Sequence, residues 1–208
     1  FSSDPILRFP PTGWSLQWYA TLLGNRDFIG AAGVSLVVAT GAALLAAAVA
    51  VPASLAIARN AFRGKALVEV VFLAPLLVPA IVIGLGLMLV FSPLGLRGSY
   101  LAVFLQLLMT PWLIILMKNF MRTVPYEIIE SGKVDGAGDF RIFVQLTLPM
   151  MKPALATLGL FLALGYWNEW YLSSLYLGSS VEFKPLQYHL YNLINTANAL
   201  RNSVAGDN

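Results

Sequence analysis

A single carboxylate, Glu169, lies inside the apolar segment that runs from Ala154 to about Leu177. An ionised side chain at bilayer depth costs at least about 2.5 to 3.5 kcal/mol by insertion scales, so Glu169 should face protein or water, not lipid. Tyr166, Glu169, Ser173 and Tyr176 follow an i, i+3, i+7, i+10 course, which on one continuous helix makes a polar and aromatic stripe. Such a stripe suits the path of a polyhydroxylated solute, with rings against its carbon–hydrogen faces and the carboxylate accepting its hydroxyl hydrogen bonds. A second reading makes Trp167, Trp170 and Tyr171 an aromatic belt at the membrane surface and Glu169 a structural partner of another subunit. Residue types alone leave both open.

Other chemistry is sparse. His189 is the only histidine and sits in a polar tail, where a surface or packing role fits better than metal binding, which needs clustered ligands. Gly64-Lys65 superficially suggests a phosphate loop, but Arg59 stands where the first glycine should be and Ala66 where Ser or Thr should be. The chain therefore has no phosphate loop of its own. No nucleophile, base and orienting group can be assembled, nor a catalytic carboxylate pair. The absence of cysteine excludes disulfides, thiolate chemistry and cysteine-held metals. A net charge of +3, spread over loops, does not describe a nucleic-acid-binding surface.

The elements that must position these groups are apolar runs. With 58% hydrophobic and 11% charged residues, the chain lies outside the range of soluble domains, and the bilayer is its main solvent. A helix needs about 20 residues to cross the hydrocarbon. Spans are expected at about 28–58, 70–92, 98–117 and 153–177. In the first, Ala31, Ser35, Ala39, Ala43 and Ala47 recur every four residues, either as a close-packing seam or as a plain alanine-rich helix. In the second, Pro75 and Pro79, followed by Gly84 and Gly86, predict a bent or interrupted helix. Pro153 suits the first turn of the fourth. Ahead of the spans lies a lead, 1–27, where Trp14, Trp18 and Leu22 are spaced for a short interfacial helix; a polar segment, 182–208, closes the chain. The connections after the first and third spans hold eight of the thirteen basic residues, so both should be cytoplasmic, with both ends of the chain outside.

The connection 118–152 is long, charged and punctuated by glycine. Pro125 to Val134 reads as one helical piece, Asp135-Gly136 as a sharp turn, and Asp139 as the N-cap of a second helix reaching about Leu148, with Pro149 ending it. Phe140, Phe143, Val144 and Thr147 should share one face of that helix, suited to a groove in another protein, while Arg141 and Gln145 point elsewhere.

The intervals of this loop carry a resemblance. Glu130-Ser131-Gly132, three residues, Gly136, nine residues, then Leu146-Thr147-Leu148-Pro149 is similar to the "EAA" loop of permease subunits in bacterial ATP-binding-cassette importers. The family pattern is Glu-Ala-Ala, Gly, Ile, Leu-Pro at the same intervals; here Ser131 and Gly132 replace the alanines and Leu146 the isoleucine. The resemblance implies an all-α integral membrane protein, a multi-span helical bundle of the type I importer permease kind, with one further span usual before this region and one after. It implies that Glu130, Asp135, Gly136, Ala137, Asp139, Phe140, Phe143, Leu146, Leu148 and Pro149 couple to an ATPase dimer, which binds ATP and Mg while this chain binds no cofactor. A second, different permease chain and an extracytoplasmic solute-binding protein are further implied partners, in a bacterial inner membrane. Leu73 to Leu87 is similar to polyamine permeases. Asp135 through Gly165-Tyr166-Trp167-Asn168-Glu169-Trp170 to Pro185-Leu186-Gln187-Tyr188 is similar to sugar and oligosaccharide permeases, in more detail. Two rivals remain at this stage: an intramembrane enzyme using Glu169, which lacks a second catalytic group, and an assembly subunit without ATPase coupling.

Overall fold

The structure is a computed structural model, and it describes residue 10 and residues 13–108, 110–178 and 181–206. Residues 1–9, 11 and 12 of the lead, Met109 in the third span, Ser179 and Ser180, and the last two residues of the tail lie outside that set.

The longest helix, α2 (Arg26–Arg59), has 34 residues and extends about 50 Å at 1.5 Å per residue. It starts cleanly because the Asn25 side chain accepts the Phe28 amide hydrogen at 3.0 Å. It packs against α5 (Tyr100–Leu108), α6 (Pro111–Thr123), α10 (Lys152–Trp167) and α12 (Leu186–Gly206), and so forms the central post. Ala31, Ser35, Ala39 and Ala43 are buried, and Ala42, Ala46 and Ala50 continue the buried row. The small-residue spacing is thus a packing seam, which matters where lipid gives helices no hydrophobic reason to associate.

The other spans are broken. α3 (Lys65–Leu77) and α4 (Ala80–Phe91) meet at 106° across Val78-Pro79, so the expected bend is a sharp corner. α3 also begins earlier than Val70 and takes in Glu69. α5 and α6 are separated at Thr110, and α6 continues to Thr123, placing Lys118 and Arg122 in the helix and not in the loop that was expected to start at 118. Two attractions allow that extension: Lys118 Nζ pairs with Glu69 at 2.8 Å, and Arg122 sits in the last turn beside the helix C-terminus. The fourth span is not one helix over 153–177. α10 ends at Trp167, and α11 (Tyr171–Tyr176) restarts after three residues.

Two apolar cores follow. One joins the second half of α2 to α6 and α10 through Ile57, Leu113, Met117, Met121 and Leu158. The other joins the first half of α2 to α4, α5 and α11 through Val38, Ala42, Phe91, Val103 and Tyr176.

At the outer ends, α1 (Gln17–Gly24) carries exposed Trp18 and Leu22, while Trp14 precedes the helix and is not part of its spacing. The segment before α12 is strapped across α2. Phe183 occupies the notch at Gly30, where an added Cβ would lie 2.4 Å from its ring. The Leu186 amide donates to Ser35 Oγ at 2.7 Å, and the Tyr100 hydroxyl donates to the Phe183 carbonyl. Gly30→Ala should therefore lower thermal stability by about 1–3 kcal/mol through overpacking. The same substitution should cost much less in a Phe183→Ala background, as read by a thermal-unfolding double-mutant cycle. Equal losses in both backgrounds would remove the notch as the cause.

Candidate functional site

The charged connection folds as a helical hairpin. Its first arm is α7 (Tyr126–Val134). Gly136 then adopts φ +74°, a backbone state that costs glycine nothing and opposes any side chain. The second arm, Asp139–Met150, consists of α8 (Asp139–Ile142), a π turn (Phe143–Thr147) and α9 (Leu148–Met150). The π turn has a local cause. Pro149 has no amide hydrogen for an i−4 carbonyl, and widening the preceding turn lets the Leu148 amide reach the Phe143 carbonyl instead.

That geometry corrects three details of the loop. Pro149 does not end the arm: the helix runs through it to Met150, and the chain bends by 75° into α10. Asp139 is not the N-cap; Gly138 is, and Asp139 is the first helical residue, its carboxylate 3.6 Å from Lys133 Nζ. Phe140, Phe143, Val144 and Thr147 do not share an environment, because the π turn rotates the later residues. Phe140 is 79% exposed and Thr147 only 1%.

Glu130, Asp135, Gly136, Asp139, Phe140 and Pro149 are exposed, whereas Ala137, Phe143, Leu146 and Leu148 are half-buried. The exposed members form a surface available to a partner. The half-buried ones hold the hairpin together: Phe143 and Leu148 pack against the core of α2, α6 and α10. The contact that closes the hairpin is between Gly132 and Ile142. An added Cβ at Gly132 would lie 3.0 Å from both Ile142 Cγ1 and Leu146 Cδ1, so the glycine that weakens α7 also admits the second arm. Sequence reasoning missed Ile142, although an aliphatic residue ten positions after a helical glycine was a usable signal.

Within the spans, the four-residue stripe is interrupted. Glu169 lies in the gap between α10 and α11, half-buried, and its Oε1 accepts the Leu172 amide hydrogen at 2.7 Å. The carboxylate thus caps α11 and offers the chain an alternative to continuing α10. Ser173 and Tyr176 are each 1% exposed and sit in the outer core. The Tyr176 hydroxyl lies 3.0 Å from the Gly84 carbonyl and 3.1 Å from Gln106 Oε1, joining α11 to α4 and α5. Tyr166 belongs to a different knot at the α5/α6 gap. There the Leu107 carbonyl and the Thr110 and Tyr166 hydroxyls lie within 2.6 to 2.7 Å of one another. Gln106, Thr110 and the Glu69–Lys118 pair were not singled out from the sequence. For the pair there was a signal, since the two opposite charges sit at the margins of two apolar runs.

Comparison with known proteins bears on the whole arrangement. The sequence model for the binding-protein-dependent transport system inner membrane component matches residues 48–200. The chain belongs to that family. Its relatives include the osmoprotective compounds uptake permease protein GgtD of Synechocystis, 30% identical over 88% of this chain and 66% of that protein. The alpha-glucoside transport system permease protein AglG of Rhizobium meliloti is 31% identical over 89% of this chain and 51% of that protein. The spermidine/putrescine transport system permease protein PotC of Escherichia coli is 26% identical over 88% and 69%. The chain thus spans between half and two thirds of the length of GgtD and AglG. A crystal structure of a bacterial ATP-binding-cassette transporter involved in the import of the acidic polysaccharide alginate superposes with a TM-score of 0.79 at 23% identity, covering 92% of this chain and 70% of that one. The fold is therefore that of a type I importer permease, as the loop intervals implied. The family comprises transport subunits and not enzymes, which removes the reading of Glu169 as a catalytic acid.

The capping geometry makes a specific expectation for Glu169. Glu169→Ala should remove the α11 cap and cost about 0.5–2 kcal/mol, whereas Glu169→Gln keeps an acceptor oxygen and should stay within a few tenths of the parent. Thermal unfolding in detergent reads the difference. Equal destabilisation by both would assign the effect to the charge instead of the cap.

Proposed function

We propose that this chain is the membrane-spanning permease subunit of an ATP-driven solute importer in a bacterial inner membrane, crossed several times by the chain. The hairpin from Glu130 to Pro149 is the surface that meets the ATPase. The observation that carries the reading is the hairpin itself: two short helical arms locked by a left-handed glycine turn and a glycine contact, presenting Glu130, Asp135, Asp139 and Phe140 outward. A rigid projecting hairpin can pass a partner's movement to the spans it is joined to. A flexible connector cannot. Two ATPase subunits would bind ATP and Mg, a second, different permease chain would complete the pathway, and a solute-binding protein would deliver cargo from outside.

The cargo we propose is a sugar or oligosaccharide, supported by the similarity to AglG. The similarity to PotC favours a second reading, a polyamine carried by the same machinery. Of the stripe residues, Tyr166 and Glu169 are half-open and are proposed to border the translocation path. Ser173 and Tyr176, being buried, would shape its wall from behind. A thermal-shift screen of the co-purifying binding protein with α-glucosides, uronate oligomers and spermidine separates the two cargoes. Stabilisation by spermidine alone would overturn the sugar reading.

Gly136→Val places a β-branched side chain at φ +74°, at a cost of about 1–2 kcal/mol. In reconstituted vesicles it should leave assembly with the ATPase detectable while lowering coupled uptake at least about tenfold, the effect expected when a coupling contact of 1.4 kcal/mol or more is lost. Unchanged uptake would dismiss the turn.

Topology can be read without background, because the chain has no cysteine. Arg63→Cys and Val134→Cys should react with an impermeant thiol reagent only from the cytoplasmic side, and Arg97→Cys and Arg201→Cys only from outside. The opposite pattern would invert the orientation and end the coupling assignment.

A further inference from the structure

Arg59, the last residue of α2, turns its guanidinium across to the end of α6, where it donates to the Met121 carbonyl at 2.7 Å and the Val124 carbonyl at 2.5 Å. Those are carbonyls that α6 cannot satisfy at its own C-terminus, and a cation there also meets the negative end of the helix dipole. Among the described residues Arg59 has no carboxylate partner, and its Nε is buried without any partner. Val124 is followed by Pro125, and α7 begins at Tyr126, so the two carbonyls held by Arg59 mark the entry to the hairpin. The exit, Met151, lies in the same apolar core as Met121, Val124 and Ile57. Beside this root the hairpin is not packed solidly onto α2: a cavity of about 210 Å³, lined by Leu55, Arg59, Tyr126, Lys133, Ile142 and Thr147, separates the two, so the carbonyls held by Arg59 are a main polar link between them.

We infer that Arg59 is the positioning residue that makes the root of the hairpin move with α2. The inference rests on the proposed coupling function and adds the route by which hairpin motion enters the spans. Among the described residues the second span turns by 106° between α3 and α4, the fourth is interrupted between α10 and α11, and the third, Tyr100–Thr123, departs from helix at Thr110. α2, the longest helix, runs as one element from Arg59 to the Gly30 notch and Ser35, where the outer strap is fastened. A pull on the hairpin delivered through Arg59 therefore reaches the outer end of the bundle without crossing a break. Both bonds are donated by one terminal nitrogen, Nη2, at the end of the long arginine stem. A lysine ammonium has enough donors for both carbonyls, but its shorter stem places them farther away.

The test uses the full chain in complex with its ATPase and partner permease, with spin labels on introduced cysteines. Leu45, Glu127 and Leu89 are exposed sites on α2, α7 and α4. On trapping with Mg-ATP and vanadate, the Leu45–Glu127 distance should stay fixed in the parent, while Glu127–Leu89 shifts by about 2 Å or more, the scale of helix movements in switching proteins. In Arg59→Met the Leu45–Glu127 distance should shift or broaden on trapping, with ATP hydrolysis retained, and Arg59→Lys should fall between. A Leu45–Glu127 distance that changes in the parent, or that stays fixed in Arg59→Met, overturns the inference while leaving the coupling function intact. Failure of both variants to assemble with the ATPase makes Arg59 a folding residue and also overturns it. A parent complex that hydrolyses ATP with no shift in Glu127–Leu89, or that binds no ATPase, overturns the coupling function itself.

Discussion

In hydrocarbon there is no water to take up a free backbone group, so each place where a spanning helix stops must be closed by another part of the protein. That requirement organises this molecule. The gap between α5 and α6 leaves the Leu107 carbonyl available, and the hydroxyls of Thr110 and Tyr166 converge on it, the latter from α10. The Tyr176 hydroxyl of α11 adds a bond to the Gly84 carbonyl in the middle of α4, a tie between two elements and not the closure of a helix end. The gap between α10 and α11 is closed from within by Glu169 on the Leu172 amide and by the Asn168 side chain on the Leu164 carbonyl. Each closure also joins or restarts elements, so the polar groups that make breaks affordable also fix which helices are neighbours.

The continuous helix is the counterpart of those breaks. α2 carries Pro52 in its interior, yet runs as one helix of 34 residues, longer than Tyr100–Thr123, the other helix of spanning length among the described residues. Eight of its eleven buried residues are alanine or serine, which lets helices on several sides approach it closely. A post built this way loses little side-chain entropy on packing. Its neighbours can then be short and interrupted, because each leans on the same seam.

The parts of the fold legible in the sequence were those governed by long patterns. The charge-free run of α2, its four-residue small seam, the corner at Pro79 and the left-handed Gly136 all follow from composition or backbone sterics within a few residues. What was not legible depended on single long-range contacts. A polar residue inside an apolar run looks the same whether it continues a helix or caps a new one, and Glu169 proved to be a cap. The stripe from Tyr166 to Tyr176 assumed one helical register, which the gap at Asn168 resets. The face of the hairpin's second arm was misread for a similar reason: one π turn, required by Pro149, shifts every later residue around the axis. Helix α12, read only as a polar tail, is held by the Phe183 strap and by Trp170 stacking on Tyr191 at 4.2 Å, contacts with no local signature.

The basic residues show how one sequence feature can answer to two constraints. Counted along the chain, they set the expected orientation, since cytoplasmic loops collect lysine and arginine. Placed in the structure, several close something at the same end of the bundle. Arg59 satisfies the carbonyls that end α6, Lys118 pairs with Glu69 between α3 and α6, and Lys133 meets Asp139 across the hairpin turn. The exposed pair across the turn contributes little by itself, whereas the contacts at the membrane margin are shielded on one side by helices. A cation in such a position can extend its apolar stem along the span and keep its head at the polar boundary, which explains why α6 runs past its apolar stretch to Thr123. The charges that orient the chain thus also lengthen its helices toward the hairpin, so that the surface proposed to meet the ATPase stands on spans and not on a free loop.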